Sequence, residues 1–253
     1  MRQMLKRLFR AAPNSFREAL LRQSVAAAEE DAKFRAGQPT MWGSLRNVAR
    51  QFRPGGIVDV GANVGDWSRS ASAIFPGVPI HLIEAQASLE PILRECGYPY
   101  TIALLGPQNR RSVPFFLSGT GSSIMEEVTS FDRERVELPM TRLDDIESVA
   151  ALPGPLLLKL DVQGFELEVL GGAEATLDRT EVILSEVSLL TYNVGAPLMH
   201  EVLAWLAKRD FLPYDICGGL RRSSDRALFQ TDMIFVRSAS DLRAKRKFWP
   251  DEN

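Results

Sequence analysis

The chain has 253 residues, of which 45% are hydrophobic and 25% are charged, and this favours a folded unit with a sizeable core over a disordered chain. Its net charge of −2 argues against a nucleic-acid partner, for which a strongly basic face is expected. No apolar run approaches the roughly 20 residues that cross a bilayer, and no secretory signal is recognisable. Two cysteines, Cys96 and Cys217, give neither a disulfide framework nor a metal-ligand spacing, so we predict a cytoplasmic protein.

The first part of the chain is basic and has a helical pattern. Residues 1–53 contain 11 Lys and Arg against 4 Asp and Glu, a net charge of +7, whereas the rest of the chain carries −9. Residues 15–18 have the spacing of a capping box, and a further helix is predicted over 40–52. We therefore predict an N-terminal helical extension over 1–53. It either docks on the main domain or makes peripheral contact with the inner face of the membrane, because basic amphipathic helices do both.

From Gly55 onward, short apolar runs alternate with amphipathic stretches. This alternation is typical of a mostly parallel, doubly wound α/β sheet with helices on both faces. The predicted strands are 57–60, 80–84, 100–105, 156–161 and 182–186, and the predicted helices are 66–75, 88–96, 164–177 and 197–208.

The last strands and one internal segment depart from this alternation. Residues 211–217 and 231–237 are predicted to form an antiparallel hairpin at the edge of the sheet. Residues 106–145 fit poorly and are predicted to be an insertion with strand pieces at 112–117 and 136–140. The main domain is thus predicted over 54–238, and a basic tail over 239–253.

The sharpest motif is Val58-Asp59-Val60-Gly61-Ala62-Asn63-Val64-Gly65. Glycines after a first strand let the backbone approach a ligand at a helix N-terminus. A dinucleotide fingerprint needs G-x-G-x-x-G, but Asn63 stands at its second glycine and Asp66 at its third. Asp59 is a poor neighbour for a phosphate and a good one for an ammonium group, directly or through water. The motif therefore predicts a ligand with an amino-acid moiety and no phosphate, as in S-adenosylmethionine.

Glu84 ends the second predicted strand, where an acidic side chain can accept hydrogen bonds from the hydroxyls of a ribose. Sites for NAD and for S-adenosylmethionine share this feature, so it favours a ribosylated cofactor without choosing between them. The third predicted strand, 100–105, offers no acid for an adenine amine. We therefore expect adenine to pack against apolar side chains and backbone groups.

Three blocks of the sequence, 58–68, 138–146 and 158–173, resemble the FkbM-type S-adenosylmethionine-dependent methyltransferases. The last block contains the family pattern K-x-D-V-Q-G-x-E, and the resemblance covers about 55–237. It implies O-methylation of a saccharide, glycolipid or related natural product. It also implies a cofactor site made of Asp59, Gly61, Asn63, Gly65, Ser68 and Glu84.

Candidate catalytic residues follow from the chemistry of methylating a hydroxyl, which must lose its proton to a base. Ligands of parallel sheets lie beyond the strand ends, so Asp161 is the predicted general base or acceptor-orienting acid. Lys159 is two residues before Asp161 on the same predicted strand, so the two side chains point to the same face of the sheet. They can pair either within the site or as a buried structural ion pair. Glu186, at the end of the next strand, is a further candidate, with a capping role as the alternative. These two carboxylates could also hold Mg²⁺, which we do not favour because two ligands are too few.

The predicted acceptor-binding residues are Ser122, Ser123, Gln163 and His200, with Phe165 shaping the pocket. An exposed loop around the serines and a solvated or capping histidine are the alternatives. The predicted partner is a small-molecule or glycan acceptor.

Two other functions stay open. An NAD-dependent sugar oxidoreductase or epimerase is disfavoured by the missing second glycine and by the absence of a Tyr-x-x-x-Lys pair. A non-catalytic module that binds S-adenosylmethionine would bind without turnover.

Overall fold

The computed structural model describes residues 36–37, 39–117, 134–191 and 193–244. The predicted capping box at 15–18, the serine-rich loop with Ser122 and Ser123, and the basic run from 245 onward lie outside the described residues. In chain order the strands are β1 (Gly56–Val60), β2 (Ile80–Glu84), β3 (Tyr100–Ile102), β4 (Leu104–Leu105), β5 (Arg110–Leu117), β6 (Glu134–Thr141), β7 (Leu156–Leu160), β8 (Thr180–Ser188), β9 (Phe211–Ile216), β10 (Leu220–Arg221) and β11 (Leu228–Arg237).

Helices separate β1, β2, β3, β7, β8 and β9 along the chain. The helices are α1 (Met41–Ala49), α2 (Asp66–Ile74), α3 (Glu90–Glu95), α4 (Glu147–Ala150), α5 (Glu166–Gly171), α6 (Glu174–Asp178), α7 (Met199–Ala207) and α8 (Asp241–Ala244), and short 3-10 helices cover Ala87–Leu89 and Leu143–Asp145. In the described part of the chain, no helix is both long and apolar enough to cross a bilayer.

The main sheet has the order β10-β11-β8-β7-β1-β2-β3, with β9 also paired to β11. The five strands from β8 to β3 run parallel, whereas β11 is antiparallel to β8, β9 and β10. This confirms the predicted α/β fold and its antiparallel edge. Within the hairpin it is β11 that joins β8 and β9 that lies outside, which explains why residues of β11 such as Ile234 and Phe235 are fully buried.

The two faces of the sheet build two apolar cores. β1, β2 and β7 are buried along their whole length, as expected for parallel strands covered by helices on both faces. Val58, Leu158 and Ile183 point to one core, and Ile57, Leu157 and Leu184 point to the other.

The second core also includes elements at both ends of the described chain. Helix α1, whose N-cap is Thr40, buries Leu45 and Val48 there, and α8 buries Leu242. The part of the basic extension that the structure describes therefore docks on the sheet. The packed region also extends past residue 238 to Leu242.

The predicted strand over 100–105 is wrong as a single element, because the chain changes sheets within it. Ala103 separates β3, which pairs with β2, from β4, which pairs with β6. Strand β2 ends at Glu84, opposite Ile102. The Ala103 amide still donates to the Glu84 carbonyl, and from Leu104 the chain pairs with β6 instead. The predicted strand pieces of the insertion are β5 and β6, and with β4 they form a second, three-stranded sheet in the order β4-β6-β5.

The predicted helix over 164–177 is also wrong as a single element. It is divided into α5 and α6 at Gly172, where the backbone of another segment lies against it. A Cβ atom at Gly172 would lie 2.2 Å from the carbonyl oxygen of Gly106, and the Gly172 carbonyl accepts a hydrogen bond from the Asp144 amide. The Asp144 carboxylate then accepts the amides of Ala175 and Thr176 at the start of α6.

Candidate functional site

A pocket opens beyond the carboxyl ends of β1, β2, β3 and β7, where ligands of open α/β sheets bind. Among the described residues its lining contains two carboxylates, Glu84 and Asp161, and neither lysine nor arginine. One wall is apolar and comes partly from the second sheet. The lining residues are Val60, Gly61, Asn63, Ile83, Glu84, Ala85, Gln86, Ala103, Leu104, Leu105, Phe115, Asp161, Val162, Gln163, Phe165 and Val169.

The glycine motif forms a tight turn that touches the neighbouring strand ends on both sides. Gly61 has a φ of 73°, and a Cβ atom there would lie 1.9 Å from the carbonyl oxygen of Asp161. The amides of Gly61 and Ala62 both donate to the Ile83 carbonyl. Gly65, with a φ of 76°, is the N-cap of α2 but does not line the pocket.

Glu84 is held rigidly at the rim of this turn. It is 6% exposed, and its Oε2 accepts the Asn63 amide at 2.8 Å while its Oε1 accepts the Gln86 amide at 2.9 Å. Each carboxylate oxygen has a second lone pair. Glu84 can therefore also accept hydrogen bonds from hydroxyl groups of a ligand in the pocket.

Asp59 lies beneath the pocket and not in its lining. It is 0% exposed, and Lys159 Nζ is 2.9 Å from its Oδ1 while Ser68 Oγ donates to its Oδ2 at 2.7 Å. Lys159 also donates to the Gly61 carbonyl at 2.8 Å. The amine that Asp59 faces is thus the protein's own, and the predicted contact of Asp59 with a ligand's ammonium group is not what the structure shows.

The charge of Lys159 is maintained by its carboxylate neighbours. Burial by itself lowers the pKa of Lys159, but Asp59 and then Asp161 raise it further than burial lowers it. The predicted pairing with Asp161 is present but longer, at 3.8 Å between Nζ and Oδ2.

Asp161 follows β7 directly and is the more exposed carboxylate of the pocket. Its side chain is 44% exposed, and its Oδ1 accepts a hydrogen bond from Gln163 Nε2 at 2.9 Å. Gln163 also lines the pocket. The structure thus brings the predicted residues Asp161 and Gln163 together, with Lys159 behind them.

Glu186 lies inside β8 and not at the strand end where the sequence placed it. It is half-buried opposite Asp232 of β11, and its Oε1 accepts a hydrogen bond from Gln230 Nε2 at 2.8 Å. Burial and the carboxylates of Asp161, Glu166 and Asp232 raise the pKa of Glu186 to about 9. Burial and Asp161 likewise raise the pKa of Asp232 to about 6. At neutral pH Glu186 therefore holds a proton, which suits a hydrogen-bond donor better than a base.

The family model described as Methyltransferase FkbM domain matches residues 59–213, which is more than half of the chain. The chain belongs to this family. Membership supports methyl transfer that depends on S-adenosylmethionine, as the sequence resemblance implied. No curated protein has a sequence that matches this FkbM-family chain.

Solved structures resemble the FkbM-family chain at low sequence identity. Precorrin-6y C5,15-methyltransferase from Geobacter metallireducens is 12% identical, with a TM-score of 0.42 over 77% of this chain and 86% of that one. Magnesium protoporphyrin IX methyltransferase from Synechocystis with bound SAM is 12% identical, with a TM-score of 0.41 over 78% and 79% of the two chains. A putative RNA methyltransferase from Pyrococcus horikoshii is 10% identical, with a TM-score of 0.41 over 78% and 82%.

Other predicted site residues of the FkbM-family protein lie away from the pocket or outside the described residues. His200 is exposed in the first turn of α7 and does not line the pocket. Ser122 and Ser123 belong to the undescribed segment 118–133. In the described ranges no group of three or more His, Cys, Asp or Glu side chains is placed to hold a metal ion.

Sequence reasoning did not single out several residues of the site. Leu104 and Phe115 enter the pocket from the second sheet, and no local pattern shows where an insertion folds back. Glu166 and Asn193 are buried beside the loop that follows Asp161. Glu166 had a signal, because it is the last residue of the K-x-D-V-Q-G-x-E block and stands at the start of a helix, where its carboxylate can reach back to loop amides.

Proposed function

We propose that this FkbM-family protein transfers a methyl group from S-adenosylmethionine to a hydroxyl of a saccharide, glycolipid or related natural product. One observation supports this most. The pocket at the strand ends places a rigid carboxylate, Glu84, and a more exposed one, Asp161, in a lining that is otherwise neutral among the described residues.

The pocket suits S-adenosylmethionine better than NAD. Glu84 would accept the ribose hydroxyls, and Ala103, Leu104 and Phe115 would pack against adenine. Asp161 would face the positively charged sulfur of the donor. The pyrophosphate of NAD calls for backbone amides or cations, and two carboxylates without a cation in the described lining oppose a second pair of negative charges.

Bound S-adenosylmethionine supplies a methyl group on a positively charged sulfur, which is already activated for in-line displacement. The protein must align the acceptor oxygen, an effect worth up to about 7–11 kcal/mol, and must remove the hydroxyl proton. We assign to Asp161 the role of accepting this proton. The hydrogen bond from Gln163 leaves Asp161 with acceptor capacity, and Lys159, 3.8 Å from Oδ2, stabilises the carboxylate before the proton arrives.

Calorimetric titration of the full chain with S-adenosylhomocysteine and with NAD tests the cofactor. We expect S-adenosylhomocysteine to bind and NAD to bind more weakly or not at all. Tighter binding of NAD would establish the oxidoreductase alternative instead.

Transfer is tested with methyl-labelled S-adenosylmethionine and a glycan and metabolite extract from cells that lack the gene. We expect Asp161→Asn to retain binding of S-adenosylhomocysteine and to lose about 10²–10⁴-fold in transfer rate. The matched control is Asp178→Asn, which changes an exposed carboxylate at the end of α6. If the wild-type chain binds the cofactor but labels nothing in the extract, the non-catalytic module is the better description.

A further inference from the structure

The loop from Asp161 to Phe165 forms one wall of the pocket and has an unusual backbone. Gln163 has a φ of 54° and Gly164 has a φ of 94°. The left-handed region costs a residue with a side chain about 1–2 kcal/mol, so it persists only where the surroundings fix it. The structure shows which groups do so.

Glu166 fixes the loop from the helix side. Its side chain is 3% exposed, and its Oε1 accepts the Val162 amide at 3.1 Å and the Gly164 amide at 3.2 Å. These two amides flank Gln163. One buried carboxylate oxygen therefore holds the backbone on both sides of the left-handed residue.

Asn193 fixes the loop from the opposite side. It is also 3% exposed, and its Nδ2 donates to the Gln163 carbonyl at 2.7 Å. A Cβ atom at Gly164 would lie 2.7 Å from the Cβ of Ala196, so the turn that begins at Asn193 packs directly on the loop. The peptide group between Gln163 and Gly164 is thus held at its carbonyl by Asn193 and at its amide by Glu166.

This fixed backbone determines the direction of a side chain in the site. Gln163 Nε2 donates to Asp161 Oδ1, and Lys159 lies near Asp161 Oδ2. We propose that Glu166 and Asn193 are positioning residues, which hold Gln163 so that its amide orients the Asp161 carboxylate. The proposal rests on the proposed function, because Asp161 is there the proton acceptor.

Hydrogen exchange of the loop amides tests the clamp without any assumption about the reaction. We expect the Val162 and Gly164 amides to exchange at least about tenfold faster in Glu166→Leu, because both lose their acceptor. Glu166→Gln keeps a carbonyl oxygen and should recover most of the protection. The control is Glu168→Leu on the same helix. Unchanged exchange in Glu166→Leu would overturn the proposal.

Cofactor binding and transfer kinetics test the positioning role, with Asn193→Asp as a second variant that keeps the side-chain shape but removes the donor. With the labelled donor and extract described above, we expect kcat to fall at least about tenfold in Glu166→Leu and Asn193→Asp. We expect the KM for S-adenosylmethionine to change little and Glu166→Gln to recover most of kcat. Faster amide exchange with kcat equal to that of the Glu168→Leu control would overturn the positioning role.

The two hypotheses fail in different ways. If the wild-type chain does not bind S-adenosylhomocysteine, the proposed function fails, and the positioning role of the clamp fails with it. If the wild-type chain binds and transfers while all the clamp variants match the control, the clamp alone fails.

Discussion

Lys159 and Asp59 are register partners on adjacent strands and form an ion pair of 2.9 Å that is almost completely buried. The same lysine donates to the Gly61 carbonyl, and Ser68 of α2 donates to the same aspartate. The pair therefore ties two parallel strands, the glycine turn and the following helix together beneath the pocket.

The first prediction concerns this pair. Breaking it with Lys159→Met or with Asp59→Asn should each lower the free energy of unfolding by about 3–5 kcal/mol, because one charge is left buried alone. The double variant should lose less than the sum of the two single variants, because it leaves neither charge behind. Urea unfolding of the four proteins measures the coupling. Strictly additive losses would show that the two residues do not depend on each other.

Glu84 gives the second prediction. Glu84→Ala removes the acceptor of the Asn63 and Gln86 amides together with the predicted ribose contact. Hydrogen bonds to charged groups are worth about 1.5–3 kcal/mol, so affinity for S-adenosylhomocysteine should fall at least about tenfold. Glu95→Gln, at an exposed position after β2, is the control in calorimetry. An Ala variant that binds as tightly as this control would remove Glu84 from the cofactor site.

The third prediction compares two glycines with nearly the same backbone conformation. Gly61 and Gly97 have φ of 73° and 76°, but a Cβ atom would collide with the Asp161 carbonyl at Gly61 and would meet nothing within 4 Å at Gly97. Gly97→Ala should cost about 1–2 kcal/mol, the price of the left-handed backbone. Gly61→Ala should cost clearly more and should weaken binding of S-adenosylhomocysteine. Equal losses in thermal unfolding would mean that the turn at Gly61 can move away from Asp161.

The fourth prediction concerns pH. The pKa of Glu186 is about 9 in the folded chain against an ordinary value of 4.5, so the folded state retains a proton that the unfolded state releases above about pH 4.5. The resulting stability is complete below that pH and is lost as pH rises through 9. Between pH 6 and pH 9 the wild-type chain should therefore lose stability on the order of 4 kcal/mol more than Glu186→Gln, in which this side chain does not titrate.

Urea unfolding at the two pH values gives the comparison. Glu166 and Asp232 titrate in both proteins and so contribute to both curves. Equal losses in the two proteins would place the proton on a group other than Glu186.

Most of the fold could be predicted because parallel strands that are buried on both faces have short, continuous apolar sequences. The bounds of β2 and the pairing of the last hairpin came from that pattern and from the turn residues. The breaks at Ala103 and Gly172 could not be predicted. They depend on where distant segments, β6 and Gly106, come to lie, and no local pattern records this.

The site could be predicted in part for the same reason. Strand-end residues such as Glu84 and Asp161 lie in the pocket because of the topology alone. The partner of Lys159 could not be predicted from one strand. Asp161 follows two residues later, so its side chain points to the same face of the sheet, whereas Asp59 lies directly beside Lys159 on the neighbouring strand. Only the pairing of β1 with β7 decides between them.

The change of sheets at Ala103 has a consequence for how the protein responds to its cofactor. One residue joins the central sheet to the inserted one, and the residues on either side of the gap, Ile83 on one sheet and Leu104 and Phe115 on the other, face the same pocket. An adenine ring placed there would contact both sheets and hold them together. The bound donor would then stabilise the fold as well as supply the methyl group.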